Sequence, residues 1–154
     1  MICALFWLLQ DFLTVLTEGA MRVPEIFLLC LVYRLLTRDR DGNVAIIWTA
    51  FAGGLLWDLR WIGIPGFFTL SYVGVVMIVM WLWNTVPVSG RAPFLVFSLF
   101  WAAQLLPASL SIFVLERNVG SARWSLFWAQ QGLGLPLSLL CAFIYDQREK
   151  ARNV

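Results

Sequence analysis

A single carboxylate, Asp58, lies at the end of an apolar stretch rich in small residues that runs from Ala50 to Arg60. At helical spacing Ala50, Gly54 and Asp58 share one face, and Gly53 lies on the neighbouring face. Small residues four positions apart let another helix backbone approach closely in lipid. A carboxylate on the same face is expected to point at a neighbouring helix, a cavity or the water interface. We therefore predict that this stretch forms a packing or partner-recognition face.

The charge of Asp58 requires compensation, because the carboxyl end of a helix disfavours a negative charge. The candidate donors are Arg60, an indole N–H group and a partner protein. Glu25 is predicted to lie at the same membrane edge, where Pro24 opens a helix and an acid suits its positive end. The plain alternative for each of these residues is an ordinary interfacial ion pair, worth about 0–1 kcal/mol.

The residue types that most enzymatic mechanisms need are missing from the sequence. The chain contains no His, which removes a histidine base, a metal-bound imidazole and a Ser-His-Asp triad together. Its three Cys lie in separate apolar runs and are interpreted as small buried hydrophobes. Gly53-Gly54 lacks the Lys-Ser/Thr that follows in a phosphate-binding loop. We therefore expect no catalytic residue, no cofactor and no metal.

A proton or ion relay would need several acids deep in the membrane, and only Asp11 meets that requirement. Its neighbour Gln10 and the amides Gln104, Gln130 and Gln131 in later runs are neutral. Gln10 and Asp11 are expected to face the helix bundle rather than lipid. The pattern therefore disfavours transport through a relay.

Composition identifies the bilayer as the solvent of this chain. Of its 154 residues, 61% are hydrophobic and 13% are charged, and the mean hydropathy is +0.81. A soluble domain of this length does not need so much apolar surface. A formal net charge of only +2, without a basic patch interleaved with aromatic residues, argues against a nucleic-acid partner.

The apolar runs predict an all-α integral membrane protein, a compact six-transmembrane-helix bundle in a single domain over residues 1–154. Charged, Gly or Pro residues separate the runs. The predicted spans are 2–17, 23–37, 44–59, 67–84, 93–115 and 124–145, followed by a charged tail over 146–154. The second and third runs are short for a hydrocarbon core of about 30 Å, so longer spans or a partner helix are expected to shield them from lipid.

Lys and Arg residues predict the orientation, because cytoplasmic segments carry an excess of both. Seven lie on the side of the two termini and four on the opposite side. The seven are Arg34, Arg38, Arg40, Arg91, Arg148, Lys150 and Arg152, and the four are Arg22, Arg60, Arg117 and Arg123. Both termini of this multi-pass protein are therefore predicted to be cytoplasmic.

The first half of the chain, over roughly residues 8–75, resembles the bacterial rod shape-determining protein MreD family in the order and spacing of its motifs. That family typically shows a Leu-Leu-Gln segment, a Pro-Asp or Pro-Asn pair opening the second span, and a Gly-Leu-x-x-Asp segment followed by a Gly-containing loop. The matching segments here are Leu8-Leu9-Gln10, Val23-Pro24-Glu25, Tyr33, Ala52-Gly-Gly-Leu-Leu-Trp-Asp58, Gly63 and Gly66. Glu25 stands where the family has a shorter acid or amide, and the second half matches only in hydropathy and length.

The resemblance implies a non-enzymatic scaffold of the cell-elongation, or rod, complex in the bacterial inner (cytoplasmic) membrane, which supports peptidoglycan synthesis and cell shape. Such proteins associate with MreC, a single-span protein with a periplasmic domain. They act alongside the RodA glycosyltransferase, its class B penicillin-binding transpeptidase and MreB filaments. The residues expected to serve partner binding or packing are Gln10, Pro24, Glu25, Ala50, Gly53, Gly54, Asp58 and Arg60.

An alternative of a different class is a small-molecule-binding membrane subunit. The six-helix fold of the family resembles the substrate-binding subunits of energy-coupling-factor vitamin transporters. Those subunits need a deep polar pocket and an Ala-x-x-x-Ala-type face for their coupling protein. Ala45-x-x-x-Thr49 and Ala50-x-x-x-Gly54 mimic such a face, whereas the loops that would cap a ligand are very short. A neighbouring gene for an MreC-like protein would distinguish the two interpretations.

Overall fold

A computed structural model of the protein describes residues 2–17, 22–37, 42–62, 65–87, 92–114 and 122–152. These residues form helices and short connections, and no β-strand occurs among them. The helices are α1 (Ile2–Leu16), α2 (Ile26–Thr37), α3 (Asn43–Trp57), α4 (Phe67–Thr85), α5 (Pro93–Val114) and α6 (Ala122–Arg152), and a π-helical segment (Asp58–Ile62) continues α3. The all-α class predicted from the sequence is confirmed.

Three helical segments are long and apolar enough to cross a membrane, namely Phe67–Thr85, Pro93–Val114 and Trp124–Ala151. The apolar helices α1 and α2 contain 15 and 12 residues, fewer than the ~20 that a straight span requires. The long segments indicate a membrane protein. Six membrane spans are a finer statement than these lengths establish, and that number stays a prediction.

Four helices agree closely with the predicted spans, since α1, α3, α4 and α5 begin and end within two residues of the predicted bounds. The charged tail is continuous with the last helix, because α6 runs on to Arg152. Within that tail the Lys150 ammonium donates to the Asp146 carboxylate one turn earlier, at 2.6 Å.

The shortest helix, α2, lies at the centre of the bundle. It packs against α1, α3, α4, α5 and α6, and Leu28, Leu31 and Val32 have no exposed surface. Large apolar side chains instead cover the outside, where Leu70 is 76% and Phe94 77% exposed, as expected for surfaces in contact with lipid. The expectation that longer neighbours shield the second run is therefore confirmed.

Candidate functional site: a buried polar centre

The carboxylate of Glu25 lies inside the bundle, with 5% of the residue exposed. Its Oε2 atom accepts hydrogen bonds from the Tyr72 hydroxyl at 2.5 Å and from Gln10 Nε2 at 2.8 Å. A buried carboxyl group is costly unless hydrogen bonds compensate the lost hydration. Glu25 therefore ties α1 and α4 to the start of α2.

Two glutamines cap the backbone at the start of α2. Gln10 Oε1 accepts from the Phe27 N–H at 2.9 Å, as an N-cap side chain does. Gln104 Oε1 accepts from the Glu25 N–H at 2.8 Å, and Gln104 Nε2 donates to the Glu25 carbonyl at 3.3 Å. Non-helical backbone inside a membrane is tolerated where protein groups satisfy it. α2 starts at Ile26, so the prediction that Pro24 opens the helix is wrong. Gln104 binds the N–H and the carbonyl of Glu25, the residue that precedes the helix.

The residues that precede Pro24 contact the last two helices. Arg22 Nη1 donates to the Ser111 hydroxyl of α5 at 2.6 Å, and Gln130 Nε2 of α6 donates to the Val23 carbonyl at 3.1 Å. Among the described residues, Gln130 Oε1 and both amide atoms of Gln131 are buried without a hydrogen-bond partner. We refer below to Gln10, Glu25, Tyr72, Gln104 and Gln130 as the polar centre.

Asp58 is completely buried and caps the next helix, α4. Its Oδ1 accepts from the Phe68 N–H at 2.7 Å. Its Oδ2 accepts from the N–H groups of Gly66 at 2.9 Å and Thr69 at 3.0 Å, and from the Thr69 hydroxyl at 2.8 Å. The amino end of a helix favours a carboxylate. The charge that the end of α3 disfavours is thus compensated by the start of α4.

Arg60 does not serve as the donor to Asp58 that the sequence suggested. Its Nε lies 2.7 Å from Asp11 Oδ1, and the Trp61 indole N–H donates to the same oxygen at 3.0 Å. Both oxygens of Asp58 are already occupied by the start of α4, so the arginine and the indole bind the carboxylate of α1 instead. The prediction that Arg60 or an indole N–H compensates Asp58 is therefore wrong, because backbone N–H groups and the Thr69 hydroxyl do so.

The small residues of α3 pack inside the chain. A Cβ atom added at Gly54 would lie 2.5 Å from Thr69 Cα, and one added at Gly53 would lie 2.4 Å from the Phe27 ring. Ala50 has no exposed surface. Of the two roles predicted for this face, the structure shows packing, with Gly54 against α4 and Gly53 against α2.

The polar side chains of this region join and cap helices, and the described residues contain no group of three or more His, Cys, Asp or Glu that could hold a metal. Tyr72 and Thr69 escaped the sequence analysis because a single hydroxyl in an apolar helix has no signature. Gln104 and Gln130 were considered only as neighbours of Asp11. The available signal was the presence of amide side chains inside several apolar runs, since such a group in lipid needs a partner.

Tyr72→Phe tests the polar centre, because it removes the donor to Glu25 and keeps the ring that packs against Phe27 and Phe68. We expect the free energy of unfolding to fall by about 1–2 kcal/mol, because a buried hydrogen bond is lost and Glu25 Oε2 keeps only its bond from Gln10. Denaturation of the purified protein by SDS in mixed micelles measures it. The control is Tyr33→Phe, which removes the hydroxyl of a half-buried tyrosine on α2 that is not part of the polar centre. Equal losses in the two variants would contradict a special role for the Tyr72 hydroxyl.

Fold and site together describe an all-helical protein with membrane-length apolar helices, whose buried polar side chains cap and join those helices. Comparison with protein-family models, with curated proteins and with solved structures finds no match to this chain.

Proposed function

We propose that this chain is a non-enzymatic membrane scaffold of the rod complex, similar to MreD, that supports peptidoglycan synthesis and cell shape by binding an MreC-like partner. The observation that carries the proposal is the proximity of Gln10, Glu25 and Asp58, one residue from each of three motif segments, at one end of the bundle. Gln10 of the Leu-Leu-Gln segment donates to Glu25 of the Val-Pro-Glu segment. Asp58 of the third segment caps α4, the helix that supplies Tyr72 to Glu25.

A scaffold role fits the chemistry of these contacts. Glu25 and Asp58 accept hydrogen bonds that lock helices together, and Asp11 is paired with Arg60. A general base or a nucleophile would instead have to direct its reactive atom toward a substrate. Fixed internal contacts and an apolar outer surface suit a protein that holds a partner helix in the membrane.

The partner must contact the outer surface of the bundle, because the residues first considered for recognition are enclosed. Gly54 and Asp58 are buried against α4. Substitution of Gly54 or Asp58 is therefore expected to reduce partner binding only as far as it reduces the amount of folded protein. A deficit in partner binding larger than the loss of folded protein would indicate direct contact.

Co-purification tests the proposal. The tagged chain is co-expressed with the MreC-like protein of the same organism, and an unrelated single-span protein with the same expression level is the control. We expect the MreC-like protein, and not the control, to be recovered at a fixed stoichiometry. Depletion of the chain should round the cells, and the wild-type gene should restore rods. Recovery of neither protein, with unchanged cell shape, would overturn the proposal, and capture of a transporter coupling subunit would support the vitamin-binding alternative.

The proposed location is the inner (cytoplasmic) membrane, with six spans and both termini in the cytoplasm. The excess of Lys and Arg on the side of the termini supports this orientation. Reporter domains fused after Asn43 and after Gly120 should then lie in the cytoplasm and the periplasm, respectively. Reporters on the same side would contradict the six-span arrangement, whereas exchanged sides would contradict only its orientation.

A further inference from the structure

A groove of about 750 Å³ lies between α1, α2 and α6. Its volume falls within the roughly 300–1,000 Å³ that is usual for ligand sites. The walls include Phe6, Leu29, Leu140 and Ile144, and all of these except Leu29 are exposed at the outer surface of the bundle. An apolar groove with such an opening is accessible from the region of the acyl chains.

Two arginines line one end of this groove. Arg34 lies in the last turn of α2, and Arg148 follows the apolar part of α6. Thr37, the last residue of α2, lines the groove as well. No carboxylate is among the described residues that line it, and the nearby Asp146 is bound by Lys150. Arg34 also donates to Cys3 Sγ at 3.5 Å. The two guanidinium groups therefore give this end of the groove a positive charge beside an apolar channel.

We propose that the groove binds an anionic phospholipid, with its headgroup phosphate at Arg34 and Arg148 and an acyl chain along Leu140 and Ile144. Basic pockets between membrane helices bind anionic headgroups in this way, and the planar guanidinium matches a phosphate in charge and geometry. The combination distinguishes a lipid from an apolar partner helix, which would fill the groove without needing either arginine. The headgroup end of the groove lies at the end of α2 opposite the polar centre, and the proposal does not depend on the scaffold function.

Native mass spectrometry of the purified full-length protein in detergent tests the headgroup contact. The protein is titrated with phosphatidylglycerol and with phosphatidylcholine of the same acyl chains. We expect a clear preference for phosphatidylglycerol, of about fivefold for each arginine. Arg34→Gln combined with Arg148→Gln should abolish it.

The control on the same helix is the double variant Asp146→Asn with Lys150→Gln, which removes the neighbouring ion pair without leaving the Asp146 carboxylate free. Arg148→Gln should weaken phosphatidylglycerol binding about fivefold, and the double variant should leave it nearly unchanged. Equal affinity of the wild-type protein for the two lipids, or equal effects of Arg148→Gln and the double variant, would overturn the proposal.

A second pair of variants tests the acyl-chain position. Leu140→Trp fills the groove and should reduce binding of both lipids, although both arginines remain. Leu139→Trp adds the same bulk at a similarly exposed neighbouring residue that does not line the groove, and should bind like the wild type. Far-UV circular dichroism establishes that each variant is folded. Equal binding by the two tryptophan variants would show that the acyl chain lies elsewhere and would refute the groove as the site.

Discussion

Gly54→Ala is expected to lower the free energy of unfolding by about 3 kcal/mol, although it adds a single methyl group. The new Cβ atom would lie 2.5 Å from Thr69 Cα, 2.8 Å from Thr69 N and 3.0 Å from Phe68 C. These are backbone atoms, so no side-chain rotation relieves the overlap. Asp58 binds the N–H groups of the same two residues, so α3 and α4 must separate and strain that cap.

The control is Gly74→Ala in α4, where an added Cβ meets no heavy atom within 4 Å. Both substitutions exchange Gly for Ala within a helix and share the same gain in helix propensity, about 1 kcal/mol, so their difference isolates the contact. Gly53→Ala should fall between them, because its neighbour is the Phe27 ring rather than backbone. Denaturation by SDS in mixed micelles ranks the three variants. If Gly54→Ala is as stable as Gly74→Ala, the close approach of α3 and α4 is wrong.

Asp58→Asn is expected to lower the free energy of unfolding by a similar amount, about 3 kcal/mol. Buried donors that lose their charged acceptor and stay unpaired are costly. The two carboxylate oxygens accept from separate groups, Phe68 N–H at one and Gly66 and Thr69 at the other. An asparagine replaces one acceptor with an NH₂ donor, so one set of donors stays unpaired in either orientation. The favourable interaction of the negative charge with the start of α4 is lost as well.

Asp146→Asn is the matched control for Asp58→Asn. It makes the same chemical change in an i,i+4 pair with the largely exposed Lys150, and such pairs contribute about 0.3–0.5 kcal/mol. Thr69→Val should show a partial effect of about 1 kcal/mol, because it removes only the hydroxyl donor to Asp58. Near-equal stability of the two asparagine variants would mean that Asp58 does not hold the start of α4.

Much of the helical architecture follows from the sequence, because lipid requires each spanning backbone to satisfy its own hydrogen bonds. Apolar runs separated by Gly, Pro and charged residues can then hardly be anything other than helices. The bounds of α4 were predicted to within one residue and those of α3 to within two. The packing role of Gly54 was also predicted, since it depends only on small residues at helical spacing.

Tertiary structure alone decided the partners of the buried polar groups. Asp58 and Arg60 are two residues apart in the sequence. The packing of the helices nevertheless places Arg60 beside Asp11 and the start of α4 beside Asp58. Local preference likewise put Pro24 in the first turn of α2, whereas α2 begins at Ile26 and the Glu25 backbone before it is bound by Gln104, 79 residues after Glu25. Helix formation depends on neighbours within a few residues and is therefore visible in the sequence. The choice of a hydrogen-bond partner inside the bundle depends on which distant residues arrive at the same depth, and only the packed helices determine that.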